Sequence, residues 1–196
     1  FGIACPRAFM DTAWDIVQDH ENKKVKFTDK RTNKPEIKVR FKGQLSDIQV
    51  EPVKKTASFD FGILMAPTGA GKTVMALSII EKRPQPTLII VHTKELLEQW
   101  IDRINKFLDI DDDVGIIGAG KFDIKPITVA MVQTLKNNVS KVQDTFGQVF
   151  VDECHRAPAW QYVKAISGLK CKYVLGLSAT PYRRDRLDKV MVWNLG

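Results

Sequence analysis

The chain has 196 residues, 44% of them hydrophobic, and a net charge of +7, enough for one well-buried core plus at most a small appendage. No apolar run reaches membrane-spanning length and nothing resembles a signal peptide, so no membrane partner is expected. Cys5, Cys154 and Cys171 are odd in number and lack metal-ligand spacing, and they read as reduced thiols of a cytoplasmic protein.

The charge is unevenly placed. From Glu21 to Lys55 there are eleven Lys or Arg against five Asp or Glu, which suits either a polyanion partner or a solvated surface. The chain starts at Phe1 rather than Met, as a processed form or a cut piece would. Residues 7–20 carry Phe9, Ala13, Ile16, Val17 and His20 at helical spacing after Pro6. Val25 and Phe27 then alternate with Lys24 and Lys26, and Ile37, Val39 and Phe41 with Lys38, Arg40 and Lys42. This predicts a hairpin whose strands each have one apolar and one basic face. The apolar faces should pack on the N-terminal helix. The basic face, with Lys38, Arg40 and Lys42, suits a phosphate backbone without base readout, or is a lysine-rich edge that blocks aggregation. Residues 1–43 would thus form a helix-plus-hairpin module too small to be stable alone, and 44–196 the main domain.

Gly43 to Asp60 reads as a connector holding a helix, which Pro52 should kink or shorten. From there the pattern is strand then helix, repeated. Strands are predicted at 61–66, 87–92, 114–118, 127–131, 148–152 and 173–178, and helices at 73–82, 94–108, 132–137 and 159–167. Leu96, Leu97, Trp100, Ile101, Ile104 and Phe107 make one stripe of the helix over 94–108. The near-continuous apolar strands fit burial on both faces. The fold class is therefore α/β, a parallel sheet flanked by helices in a nucleotide-binding domain.

Between the strand at 61–66 and its helix lies Ala66-Pro67-Thr68-Gly69-Ala70-Gly71-Lys72-Thr73. Strand, glycine-rich loop and helix together form a phosphate-binding element. The glycines let backbone N–H groups converge, and the helix adds its positive dipole end. Lys72 supplies a charge for the outer phosphates, and the Thr73 hydroxyl can ligate magnesium. A glycine-rich turn with no ligand is the bland alternative, but it gives Lys72 and Thr73 no packing reason to be there.

The apolar strand Gln148-Val149-Phe150-Val151 ends in Asp152-Glu153. Open α/β sheets place ligands at such strand ends, and two acids after a buried strand are costly without a task. One can hold magnesium, commonly through water, and the other can orient an attacking water. Acids at a helix N-terminus are the competing explanation. Leu175-Gly176-Leu177-Ser178-Ala179-Thr180-Pro181 ends a further strand with two hydroxyls.

In this order, the segments at 66–73, 90–100 (IVHTKELLEQW), 129–135 (VAMVQTL), 151–158 (VDECHRAP) and 175–185 (LGLSATPYRRD) resemble the first RecA-like domain of superfamily 2 helicases and translocases. The resemblance covers 45–196, and its DECH and GLSATPYRRD segments look most like the branch of repair, transcription and restriction-type DNA helicases. It implies a RecA-like P-loop NTPase fold and ATP with Mg2+ as cofactors. Pro67 to Thr73 would hold the ATP phosphates, Thr73 and Asp152 the metal, and Glu153 would act as base or water-orienting group. His155, Ser178 and Thr180 would couple the nucleotide state to nucleic acid. His92, Thr93, Lys94, Gly118, Gly120, Gln133 and Thr134 would lie along the nucleic-acid backbone, with DNA favoured over RNA. Gln49 falls where the family often reads adenine, although Ser46-Asp47-Ile48-Gln49 is also a capping box. A second RecA-like domain, absent from the sequence after Gly196, is the expected partner within a longer chain. A duplex translocase without strand separation, and a binding module without turnover, are the alternatives to a helicase.

Overall fold

The computed structural model describes residues 15–16, 29, 31–153 and 159–179. The elements, in chain order, are β1 (Val39–Phe41), α1 (Asp47–Ala57), β2 (Phe61–Met65), α2 (Lys72–Lys82), β3 (Thr87–Val91), α3 (Lys94–Phe107), β4 (Leu108–Ile110), β5 (Gly115–Gly118), β6 (Lys121–Asp123), β7 (Ile127–Met131), α4 (Val132–Leu135), a 3-10 turn (Val139–Lys141), β8 (Gln148–Asp152), α5 (Ala159–Ser167) and β9 (Tyr173–Ser178). Seven strands form one sheet in the order β2-β9-β8-β3-β7-β5-β6. All neighbours pair in parallel except the edge strand β6, which is antiparallel to β5.

Strand periodicity sorts the core into two layers. Leu88 and Ile90 of β3, with Val149 and Val151 of β8, face a cluster with Val132, Leu135, Tyr162 and Ile166 from α4 and α5. The intervening Ile89, Val91 and Phe150 face the opposite cluster, with Leu77, Ile80, Leu97, Trp100 and Ile104 from α2 and α3. β3 and β8 are buried at every position, as central parallel strands must be. No helix among the described residues is long and apolar enough to cross a membrane.

Three expectations concern the N-terminal part. α1 runs eleven residues through Pro52 and is not ended by it. The strand at 39–41 pairs antiparallel with β4, with Val39 opposite Ile110, Arg40 opposite Asp109 and Phe41 opposite Leu108. Its apolar residues Ile37, Val39 and Phe41 pack on the cluster under α2 and α3. Backbone hydrogen bonds Ile37 N to Pro84 O and Lys42 N to Phe107 O, both 2.7 Å, fasten this segment to the main domain. The predicted strand at 24–27 lies outside the described residues, as does the helix at 7–20 apart from Asp15 and Ile16, which are helical.

β4 and β6 carry no periodicity long enough to be read from sequence. β6 arises from a two-residue hairpin, with Ala119 at φ +50° and Gly120 at φ +80° closing the Gly118–Lys121 pair. Two successive positive φ angles give the turn the right-handed twist that suits antiparallel strands.

Candidate functional site

The phosphate loop runs from the end of β2 to the start of α2. Gly69 and Gly71 have φ of +84° and +80°, a region that L side chains avoid. At Gly71 a β-carbon would also lie 2.5 Å from Gln49 Nε2, so a side chain here would be strained in its dihedral and would displace the end of the Gln49 side chain. Gln49, from the first turn of α1, donates from Nε2 to Ala70 O at 2.9 Å and accepts at Oε1 from Ser46 N–H at 3.0 Å. One amide thus serves both as the capping group and as a tether of the loop. Lys72 Nζ donates to Ala66 O at 3.0 Å and lies within hydrogen-bonding reach of Pro67 O at 3.4 Å. Pro67, Thr68 and Gly69 are exposed, and Thr73 is partly buried in the first turn of α2.

The neighbouring strands bring the acids alongside. Met65 pairs with Ser178, and Asp152 with Leu177. Ala66 N–H donates to Ser178 O at 3.1 Å. The loop, Asp152-Glu153 and Ser178 therefore meet at the C-terminal ends of three adjacent strands, where consecutive βα units leave their crevice.

Asp152 is 7% exposed. Burial pushes its carboxyl above the usual carboxylate range and the charge of Glu153 adds to this; the Trp100 and Glu153 N–H donors and the charge of Lys72 oppose it. Trp100 Nε1–H donates to Asp152 Oδ2 at 2.8 Å, and Glu153 N–H to Asp152 Oδ1 at 2.9 Å. The Tyr162 hydroxyl donates to Asp152 O at 3.3 Å, tying α5 to the strand end. Glu153 adopts φ +47°, a left-handed conformation that costs an L residue about 1–2 kcal/mol and that concentrates at functional sites.

A second group of expected residues gathers at the ends of β3, β5 and β7. Gln133 Nε2 donates to His92 O at 2.9 Å, joining two of the expected nucleic-acid segments. The Met131 side chain at the end of β7 lies against Gly118. Thr93 caps α3, its hydroxyl accepting from Leu96 N–H at 3.3 Å. Lys94 is exposed and lies 3.5 Å from Glu98 on the same helix. Thr134 O accepts from Asn138 Nδ2 at 2.9 Å.

Lys38, Arg40 and Lys42 do not join this group. β1 is anchored to Pro84 after α2 and to Phe107 at the end of α3, and both helices begin at the ligand-bearing strand ends. The basic stripe is therefore at the opposite pole. There Arg40 stands across from Asp109, and Lys38 Nζ is 4.0 Å from Asp111 Oδ2. His155 and Thr180 lie outside the described residues.

Trp100 and Tyr162 escaped sequence reading as site residues. The helical stripe accounted for Trp100 as core. The one available signal was chemical: a buried indole N–H requires an acceptor.

Residues 19–183 match the family described as the type III restriction enzyme, res subunit. The chain is similar to the DNA 3'-5' translocase XPB2 of Sulfurisphaera tokodaii, 40% identical over 147 residues that make up 75% of this chain and 33% of that protein. It thus spans about a third of the length of that curated relative. In three dimensions it resembles the UvsW helicase of bacteriophage T4, with TM-score 0.73, 22% identity, and coverage of 97% of this chain and 77% of that one. It also resembles the Sulfolobus solfataricus SWI2/SNF2 ATPase core solved with dsDNA, with TM-score 0.64, 22% identity, and coverage of 78% and 36%. With its phosphate loop and acidic strand end side by side on a RecA-like sheet, the chain belongs to the family of the type III restriction enzyme res subunit.

Proposed function

We propose that this domain is the nucleotide-binding motor lobe of an ATP-dependent DNA helicase or translocase. The observation that carries the reading is the meeting of the loop 66–73, Asp152-Glu153 and Ser178 at three neighbouring strand ends.

The residues fit magnesium and ATP. Two left-handed glycines open the loop at the start of an eleven-residue helix, which favours phosphate. Lys72 would meet the outer phosphates, Thr73 and Asp152 would hold the metal, and Glu153 would orient the attacking water. Bound magnesium would supply charge neutralisation on the transferring phosphoryl group. Ser178, His155 and Thr180 would pass the nucleotide state to nucleic acid held along His92–Lys94, Gly118–Gly120 and Gln133–Thr134. Arginines from a second RecA-like lobe of the complete protein are worth about 10³ to 10⁵ in rate in related phosphoryl-transfer systems. The 196-residue chain by itself should therefore turn over slowly. Duplex translocation without strand separation is the second reading; the S. tokodaii relative is named a DNA 3'-5' translocase.

The test is equilibrium binding of a fluorescent ATP analogue with magnesium. Lys72→Ala should weaken binding by about tenfold or more, since a hydrogen bond to a charged group is worth about 1.5–3 kcal/mol. Wild-type affinity in that variant overturns the proposal.

A further inference from the structure

The inner side of α3 carries Trp100, 1% exposed, in the cluster that α2 and α3 form on the sheet. Its indole N–H could satisfy itself on any nearby carbonyl. It instead donates to a side-chain carboxylate 52 positions away in sequence, Asp152 Oδ2, at 2.8 Å. The other oxygen, Oδ1, takes the Glu153 N–H at 2.9 Å. Both carboxylate oxygens therefore have a donor, and the rotation of the group is fixed from two sides.

An indole is suited to this task. It is a donor only, so it always presents the carboxylate with a proton that it cannot exchange for an acceptor role. It has no lone pair with which to compete for a metal, and its ring is locked by packing. Each Asp152 oxygen keeps a lone-pair direction outside these two bonds. Partners that orient a ligating carboxylate in this way commonly control metal affinity.

We propose that Trp100 is a positioning residue for magnesium, holding Asp152 in the orientation that receives the metal; this rests on the reading of Asp152 as a magnesium-holding residue. The same helix begins at Lys94, next to His92 and Thr93, six residues or about 9 Å from Trp100. One rigid element thus carries both the nucleic-acid segment and the donor to the metal-holding carboxylate.

The experiment measures Mn2+ binding to the ADP-loaded chain by electron paramagnetic resonance. Trp100→Phe removes the N–H, and replacing the Trp100 indole with benzothiophene removes it while preserving ring shape and packing. In the benzothiophene protein Mn2+ affinity should fall about 10- to 100-fold, with ADP affinity in EDTA and the circular dichroism spectrum unchanged. Asp152→Ala is the reference arm. If Asp152→Ala weakens Mn2+ binding and the benzothiophene protein does not, the role of Trp100 is overturned while that of Asp152 stands. If Asp152→Ala itself leaves Mn2+ affinity unchanged, the metal reading falls and this inference falls with it.

Discussion

The side-chain amide of Gln49 donates to the carbonyl of Ala70 at 2.9 Å, so a residue of the first helix holds the middle of the phosphate loop. The contact is made in the space that a β-carbon on Gly71 would occupy. Loop sequence and helix position are therefore fitted to each other, and the amide acts on loop geometry before any base is considered.

Gln49→Ala should weaken binding of ATP and GTP alike by about fivefold, the effect of losing one hydrogen bond of about 1 kcal/mol. Competition titrations with both nucleotides check this. A loss confined to adenine nucleotides would instead assign Gln49 to base reading.

Glu153 stands at φ +47°. Glu153→Gly should relieve that strain and raise stability by about 1 kcal/mol after the added chain entropy of glycine, a rise of about 2–4 °C in Tm for a chain of this size. In the complete protein ATP hydrolysis should be lost in both Glu153→Gly and Glu153→Gln, with nucleotide binding retained. Thermal melts and a phosphate-release assay separate the two effects. An unchanged Tm in Glu153→Gly would mean that the dihedral is not a strained one.

The basic stripe leads to a prediction opposite to the one its sequence suggests. Lys38, Arg40 and Lys42 lie at the pole away from His92, Gln133 and Gly118; Arg40 stands across from Asp109, and Lys38 Nζ is 4.0 Å from Asp111 Oδ2. Replacing all three with Ser should leave the slope of log affinity against log salt for DNA unchanged. A decrease of about 0.7–0.9 per residue would restore them as phosphate contacts.

The Arg31 guanidinium hydrogen-bonds Asp29, with Nη2–Oδ2 at 2.7 Å, and holds its carboxyl below the usual carboxylate range. A depressed folded-state value means stability present above the unfolded value, about 3.9, and lost as pH falls through the folded one. The pair is part-exposed, so the gain is below about 1 kcal/mol. Asp29→Asn should lower Tm slightly at pH 7, and the difference from wild type should shrink as pH falls below about 3.9. A difference that does not shrink on acidification would exclude the ion pair as its source.

Periodicity by itself determined the α/β class and six of the seven strands of the large sheet. In β3 and β8 every residue is buried, so the apolar run is the strand. Residue identity marked the phosphate loop and the acid pair, because glycine dihedrals and costly adjacent carboxylates leave their mark in a short stretch of chain. The tertiary structure alone decided that β1 pairs with β4, since a three-residue strand has no pattern that names that partner. It also decided that the stripe at 38–42 faces away from the site, because alternation fixes which residues share a face and not where that face points. The Trp100–Asp152 bond belongs here too: a stripe of large apolar residues looks the same whether its indole meets a carbonyl or a carboxylate, and only the packing of α3 on the sheet brings the two groups within 2.8 Å.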